Sequence, residues 1–383
     1  MSDRIKPLDL SGYNAGDFPN RPPNRIAPKE ESGSDLVGDL SRATVTIAET
    51  TEVVRGATQA ASDVSALLKK YTVDKATEVK RVTSLFMDCI LGWTFKIHTH
   101  GFVRVIDYMG DDSSIVQAAR VSYGKGTKTR LKDASLISYL IENAHTSPLE
   151  MVRIKLHIKL PIFVARQWIR HRTAGLNEYS GRYSVMGCEY YLPDADDIAG
   201  QSDDNKQARG DGLTAEQRER VIELLTATCD DSVKTYEELL SEDVGLAREL
   251  ARIGLTLNTY TELYWTIDLH NLINFIRLRL HSHAQKEIRD YAQVIWDILE
   301  GWLPITTKAA KNFVLDSKRL SGAALTYLQM RISNGGKPVE KVDGMSRREK
   351  DFVDGMFGDY KPTLLRRTVS QTRMILTKMG FDL

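Results

Sequence analysis

The segment from Met151 to Leu160 limits the architecture more than any other part of the chain. Val152, Ile154, Leu156, Ile158 and Leu160 alternate with Arg153, Lys155, His157 and Lys159, and a period of two fits a strand with one face buried and the other in water. Pro161 follows at once and opens IFVARQWIRHR. Proline is tolerated in a helix's first turn, where its missing N–H leaves no bond unmade. A half-buried strand therefore feeds a basic helix directly. With a second strand expected near Phe102 to Tyr108 and several long helices, the fold class is α+β, or mixed α/β.

Helix signals recur downstream. Thr214 with Gln217 forms a capping box before a helix carrying Val221, Leu224, Leu225, Val233 and Tyr236, and Ser282 with Gln285 reads the same way before AQKEIRDYAQVIWDIL. After Trp265, at about 100° per residue, Leu269, Leu272, Ile273, Ile276 and Leu280 form one apolar stripe. His270 and Asn274 lie on one flank of it and Arg279 on the other. Arg279 is thus expected half-buried, and taken alone its ordinary partner would be Glu249 or Glu287.

The domain organisation follows from texture. Residues 1–37, rich in Pro, Gly, Asp and Asn, are expected as a flexible arm, and 38–95 as a helical N-terminal extension, with Val64, Leu67, Leu68 and Tyr71 at helical spacing. Residues 96–312 form the main domain, interrupted by an acidic loop at 193–213, and 313–383 a polar C-terminal appendage.

Several functional classes fall away on composition. Lys plus Arg (52) nearly cancels Asp plus Glu (51), so no whole-molecule field draws the chain to nucleic acid or to a membrane surface. Cys89, Cys188 and Cys229 lie far apart without a CxxC, which fits free thiols in a reducing cytoplasm and no zinc ribbon. His98 with His100 and His281 with His283 are spaced by two, diverging on a helix, so no metal is expected. No signal peptide and no run of about 18 apolar residues occurs, and a cytoplasmic location is expected.

Chemistry concentrates between Arg166 and Ser184. RQWIRHRTAGLNEYSGRYS places Arg166, Arg170, Arg172 and Arg182 beside Gln167, Asn177, Glu178, Ser180 and Ser184. Arginine presents a planar fork matched to phosphate oxygens, and Ser-Gly-Arg after the helix can add hydroxyl and backbone N–H groups. The competing reading is a solvated basic face with Glu178 in a surface ion pair. Aromatic and apolar neighbours (Phe163, Trp168, Ile169) are expected to bring at least one of Arg170 and Arg172 near the core, where it requires a partner.

The RHR triplet followed by seven residues and a serine, with NEYSGRYS behind it, resembles the signature of flavin-dependent thymidylate synthases. The likeness continues in AARVSYGKG, HTSPLE, GLARELAR, YTELYWTIDLHNLINFIRLR and AQKEIRDYA, over roughly residues 99–305. It implies methylation of dUMP to dTMP, with 5,10-methylenetetrahydrofolate supplying carbon, FAD carrying the hydride and NADPH reducing it, in a homotetramer whose sites are shared between subunits. It assigns substrate contacts to Gln167, Arg170, Glu178, Tyr179, Ser180, Gly181, Arg182, Arg252 and Arg279. Flavin contacts fall to Ser147, Arg170, His171, Arg172, Glu178, Asp268, Leu269, His270 and Asn274, with His145 near flavin and folate. Arg279 takes the catalytic role, stabilising negative charge as the pyrimidine C5 becomes nucleophilic. No cysteine or serine attacks the substrate, so Ser180 is a ligand contact, and Cys188 lacks a flanking base.

Three positions depart from the pattern. Gly175 stands where serine is usual, Asp268 where asparagine is common and His270 where arginine is common. Asp268 can cap the following helix as well as asparagine does. The charge change is expected to loosen an anionic flavin, or to alter the chemistry to methylation or hydroxymethylation of dCMP. The rival from another class is a nucleic-acid-binding module, in which Tyr179, Tyr183, Tyr190 and Tyr191 would stack bases beside the arginines.

Overall fold

The computed structural model describes residues 81–121, 130–202, 209–317, 320–335 and 342–355, with isolated positions at 59, 62, 63, 66 and 339. The expected arm and most of the expected extension lie outside the described residues. The chain runs through α1 (Leu85–Ile90), β1 (Thr94–Ile97), β2 (Gly101–Met109), α2 (Asp112–Val121), α3 (Arg130–Glu142), β3 (Arg153–Pro161), α4 (Ile162–Trp168) and β4 (Gly175–Glu178). It continues through β5 (Ala199–Gln201), β6 (Arg209–Gly212), α5 (Ala215–Leu240), α6 (Arg248–Ala251), β7 (Tyr260–Asp268), α7 (Leu269–Arg279), α8 (Lys286–Trp302), α9 (Pro304–Ala310), α10 (Gly322–Ser333) and α11 (Arg347–Gly355).

Five strands form one antiparallel sheet in the order β1-β2-β3-β7-β4. The alternation in β3 does what its period dictates: Ile154, Leu156, Ile158 and Leu160 are buried, and Lys155, His157 and Lys159 face the other way. On the buried face they join Val103 and Val105 of β2 and Leu263, Trp265 and Ile267 of β7, under the apolar stripes of α7 and α8. On the open face His157 Nε2 meets Glu262 Oε2 at 2.8 Å and its ring stacks on Tyr264 at 4.7 Å. The His157 hydrogen bond is the largest influence holding the Glu262 carboxyl below its usual range.

Of the two capping boxes expected from the sequence, one forms. Thr214 Oγ1 accepts from Gln217 N–H while Gln217 Oε1 accepts from Thr214 N–H, completing the expected capping box. Ser282 and Gln285 do not form one: α8 starts at Lys286 with Gln285 at its N-cap and no side-chain cap, because Gln285 Oε1 accepts from Gln167 Nε2 instead. Residues 193–213 are not a plain loop either. Their described part holds the β5–β6 hairpin, tied down by an ion pair from Arg209 to buried Glu287. Of the apolar residues that α5 carries, Leu224 and Leu225 are exposed, whereas Tyr236 is fully buried. In the C-terminal part, α10 and α11 pack through Ala324, Tyr327 and Val353, and Asp354 accepts from Tyr327 Oη and Arg331.

Gly101 opens β2 against Tyr291 of α8. A Cβ there would collide with Tyr291 Oη, which donates to Lys159 O at 2.7 Å, and would sit 2.7 Å from Ile97 O. Gly101→Ala is expected to cost about 1–3 kcal/mol of stability through overpacking. Urea unfolding midpoints would show it, and a loss under about 0.5 kcal/mol, the range of neutral surface changes, would contradict this account.

Candidate active site

The aromatic core fixes the basic segment. Trp168, wholly buried at the end of α4, packs on Trp265, Phe275 and Tyr291 with ring centroids 5.1, 4.6 and 6.1 Å away. The chain then turns out of the core. Arg170 and Arg172 are both exposed, contrary to the expectation that one lies near the core, because α4 ends at Trp168 and the guanidinium groups fall in the turn beyond it. The core-proximal members are His171 and Arg279.

Arg279, at the end of α7, donates from Nε to His171 Nε2 at 3.0 Å and from Nη2 to the Gln167 backbone O at 3.2 Å. Neither of its ordinary partners is engaged with it: Glu249 pairs with Arg182 and Glu287 with Arg209. Burial, and then the neighbouring Arg170 charge, lower the Arg279 pKa. Burial, and then the Arg279 charge, push His171 down to about 4, so the imidazole is neutral at pH 7.

A second group of expected residues gathers around a cavity of ≈ 300 Å³ lined by Arg166, Ile169, Glu178, Tyr179, Gly181, Met186, Arg252, Leu257 and Thr261 among others. Glu178 forms no ion pair among the described residues; its Oε1 accepts from Thr261 Oγ1 at 2.9 Å, which removes the surface-pair reading. Tyr179 Oη donates to Val185 O at 2.8 Å. Gly181 sits close against its neighbours: a Cβ would lie 2.8 Å from Met186 Sδ and 3.2 Å from Arg252 Cδ, so those flexible side chains would have to shift to admit one. Arg166 was visible in the arginine cluster but absent from the family's contact set, and its place in the lining came only from the fold.

Glu249 knits the rim together. Its carboxylate accepts from Arg182 Nε at 3.2 Å and its backbone O from Arg252 Nε at 3.4 Å, while Arg248 donates to Tyr183 O at 2.9 Å. Ser180 Oγ accepts from the Arg182 N–H at 3.3 Å. Cys188 is a poor nucleophile here, because burial and then Glu237 push its thiol up.

The remaining expected residues sit at the opposite end of β7. Asp268 caps α7, its buried carboxylate accepting from Asn271 N–H and from Asn271 Nδ2 on both oxygens. Leu269 N–H donates to Val152 O at 2.8 Å, which brings the start of α7 beside the loop carrying His145 and Ser147, both exposed. The Leu269 side chain is core. His270 is half-buried, and Asn274 Oδ1 accepts from Arg277 at 2.8 Å. Gly175, at the start of edge strand β4, would accept a Cβ in ordinary contact with Thr266, the nearest atom being 3.9 Å away. None of Gln167, Arg170, His171, Arg172, Ser180, Arg182, Arg279, His145, Ser147 or residues 268–274 lines the cavity.

The donor set suits an anionic ligand. Among the described residues Arg166, Arg170 and Arg172 are exposed and form no ion pair with an acid. Three cations left together in water repel one another mildly, and phosphate oxygens relieve that repulsion while matching the guanidinium fork. No group of three or more metal-ligating side chains occurs among the described residues, and no helix there is long and apolar enough to cross a membrane.

Comparison with known proteins agrees with this chemistry. The family described as thymidylate synthase complementing protein matches residues 104–305. A flavin-dependent thymidylate synthase of Rickettsia typhi is 52% identical over 289 residues, covering 73% of this chain and 98% of the relative. One of Gluconobacter oxydans is 50% identical over 270 residues, covering 70% and 89%. Among solved structures, a UMP/dUMP methylase PolB from Streptomyces cacaoi bound with 5-Br UMP superposes with a TM-score of 0.53 at 31% identity, over 58% of this chain and 98% of that one.

The neutral imidazole carries a stability signature. An unfolded histidine takes up its proton near pH 6.5 and folded His171 only near about 4. In that window the unfolded state binds more protons, so stability falls as pH drops from about 6.5 to about 4 and this contribution levels off below. Denaturation midpoints across pH are expected to show a shallower acid slope in His171→Gln than in the parent; identical slopes would contradict the assignment.

Proposed function

This chain belongs to the flavin-dependent thymidylate synthase family, and from that membership we propose how its residues divide the work. The protein is an enzyme that methylates dUMP to dTMP with a flavin. The observation that carries our site reading is the cavity in which Glu178, Tyr179, Gly181 and Arg252 meet from separate stretches of chain. Its volume lies at the lower end of the roughly 300–1,000 Å³ of small-molecule sites.

In this reading the Ser180-Gly181-Arg182 turn and Arg252 take the nucleotide phosphate. Glu249, by holding Arg182 Nε, leaves the outer guanidinium edge for phosphate oxygens. Gln167, Arg170 and Arg279 meet the nucleotide from elsewhere, with Arg279 directed at the pyrimidine edge. That none of them lines the cavity supports a site completed by a second copy, within a homotetramer. So do the exposed apolar side chains near the cavity, Tyr183 at 75%, Ile253 at 75% and Leu257 at 67%.

Arg170, His171, Arg172, Glu178, Ser147 and residues 268–270 with Asn274 hold FAD, with His145 beside flavin and folate. FAD, when bound and reduced by NADPH, supplies the hydride, and 5,10-methylenetetrahydrofolate supplies the carbon. What the protein contributes is preorganised charge. As C5 of the pyrimidine becomes nucleophilic, negative charge grows at N3 and O2, and a preorganised guanidinium stabilises that charge more than it stabilises the neutral ground state.

Product mass from purified enzyme, given dUMP and dCMP separately, tests the chemistry. Conversion of dUMP to dTMP dependent on FAD, NADPH and methylenetetrahydrofolate is expected; a hydroxymethyl product or preference for dCMP would overturn it. The cofactor half is tested separately. His270→Arg adds a cation facing an anionic cofactor, worth on the order of 1 kcal/mol at partial exposure, or about fivefold in Kd. FAD titration is expected to show tighter binding, and unchanged or weaker affinity would remove His270 from the flavin set.

A further inference from the structure

A guanidinium has five N–H donors, and in Arg279 two are already committed. Nε–H points to His171 Nε2 and one Nη2–H to the Gln167 carbonyl. These two donors share one edge of the planar group. That edge is closed, and the other, Nη1 with the second Nη2–H, remains as a parallel fork of the kind that binds a planar acceptor edge bidentately.

The partner's chemistry matters as much as its position. Arginine Nε always carries its proton, so His171 Nε2 is the acceptor and the imidazole proton sits on Nδ1. A carboxylate in the same place would hold Arg279 equally well but would cancel its charge. A neutral imidazole holds the guanidinium and leaves its full positive charge for the substrate. The ring is itself fixed: it meets Phe275 edge-on at 4.8 Å and follows Trp168, which is wholly buried, by three residues.

Resting on the reading of Arg279 as the group that meets the pyrimidine edge, we propose that His171 is a positioning residue for Arg279. As the Nδ1–H tautomer it clamps the inner guanidinium edge together with the Gln167 carbonyl and aims the outer fork at the substrate. This role is distinct from a contact with the flavin. It predicts coupling to Arg279 that a flavin contact would not produce.

The test uses the full-length holoenzyme at saturating FAD, with flavin content of each variant checked by absorbance. His171→Phe keeps an aromatic ring but removes the acceptor, and is expected to lower kcat about 10–100-fold, with the dUMP KM moving less than about threefold. His171→Gln restores an uncharged acceptor near the Nε2 position and is expected to recover kcat to within about fivefold of the parent. In an Arg279→Lys background, which has no Nε to clamp, the further loss on His171→Phe is expected to shrink to about twofold or less. A His171→Phe enzyme with near-parental kcat, a His171→Gln enzyme as poor as His171→Phe, or losses that multiply in the double variant would each overturn the clamp. ¹⁵N NMR of the unsubstituted enzyme gives a readout that needs no variant to fold: the Nδ1–H tautomer is expected at pH 7, and an Nε2–H tautomer overturns the proposal. Full activity in Arg279→Lys alone would overturn the underlying reading and the clamp together, whereas an impaired Arg279→Lys beside an active His171→Phe would overturn only the clamp.

Discussion

The packing of Trp168 between Trp265, Phe275 and Tyr291 is the constraint on which the site depends. Gln167 precedes this tryptophan and His171 follows it by three residues, so anchoring one indole sets both groups that hold Arg279. Phe275 lies one helical turn before Arg279 on α7 and touches both Trp168 and His171. Two short segments far apart in sequence are thereby locked through an apolar contact, and the polar geometry is inherited from it. Apolar packing has no directional preference of its own. Close-packed rings nevertheless leave few alternative rotamers, and that converts a non-directional attraction into fixed donor positions.

The sheet does comparable work at the other boundary of the site. Pairing of β4 with β7 sets Glu178 opposite Leu263, and the chain beyond continues to follow β7, with Tyr179 N–H donating to Glu262 O. The Ser180-Gly181-Arg182 turn starts immediately afterwards, so its placement is a register effect. Because side chains alternate with a period of two, a slip of one residue in β4 would exchange the faces of Asn177 and Glu178. Glu178 would then lose Thr261.

How much of this was legible in the sequence depended on how local the signal was. The β3 alternation, the Thr214 capping box and the α7 stripe are encoded within a few residues each, and the folded chain carries them as read. The placement of Arg170 and Arg172 was not, since a short helix beside aromatic residues gives no hint of where it ends relative to the core. Ser282 and Gln285 have the spacing of a capping box, yet Gln285 is taken by Gln167, more than a hundred residues away in sequence. The exposed Leu224 and Leu225 likewise show helical periodicity without saying whether anything in the same protomer covers it. The partnership of Arg279 with His171 lay beyond any sequence argument. The charged candidates Glu249 and Glu287 were visible, and the neutral one was not.

The neutral partner of Arg279 sits in a region that also holds several uncompensated cations. Arg166, Arg170 and Arg172 stand in water, where high dielectric keeps their mutual repulsion small. Only Arg279 is drawn toward the core, and there both burial and Arg170 act to lower its pKa. An arginine's ordinary value lies so high that such a shift still leaves it charged at neutral pH. A lysine in the same surroundings would be far easier to neutralise, because its ammonium titrates readily when buried. The same reasoning bears on Asp268. Its extra negative charge relative to asparagine is spent on the Asn271 N–H and amide at the start of α7, where the helix dipole favours an anion. The unit of charge gained there is therefore partly absorbed by the helix.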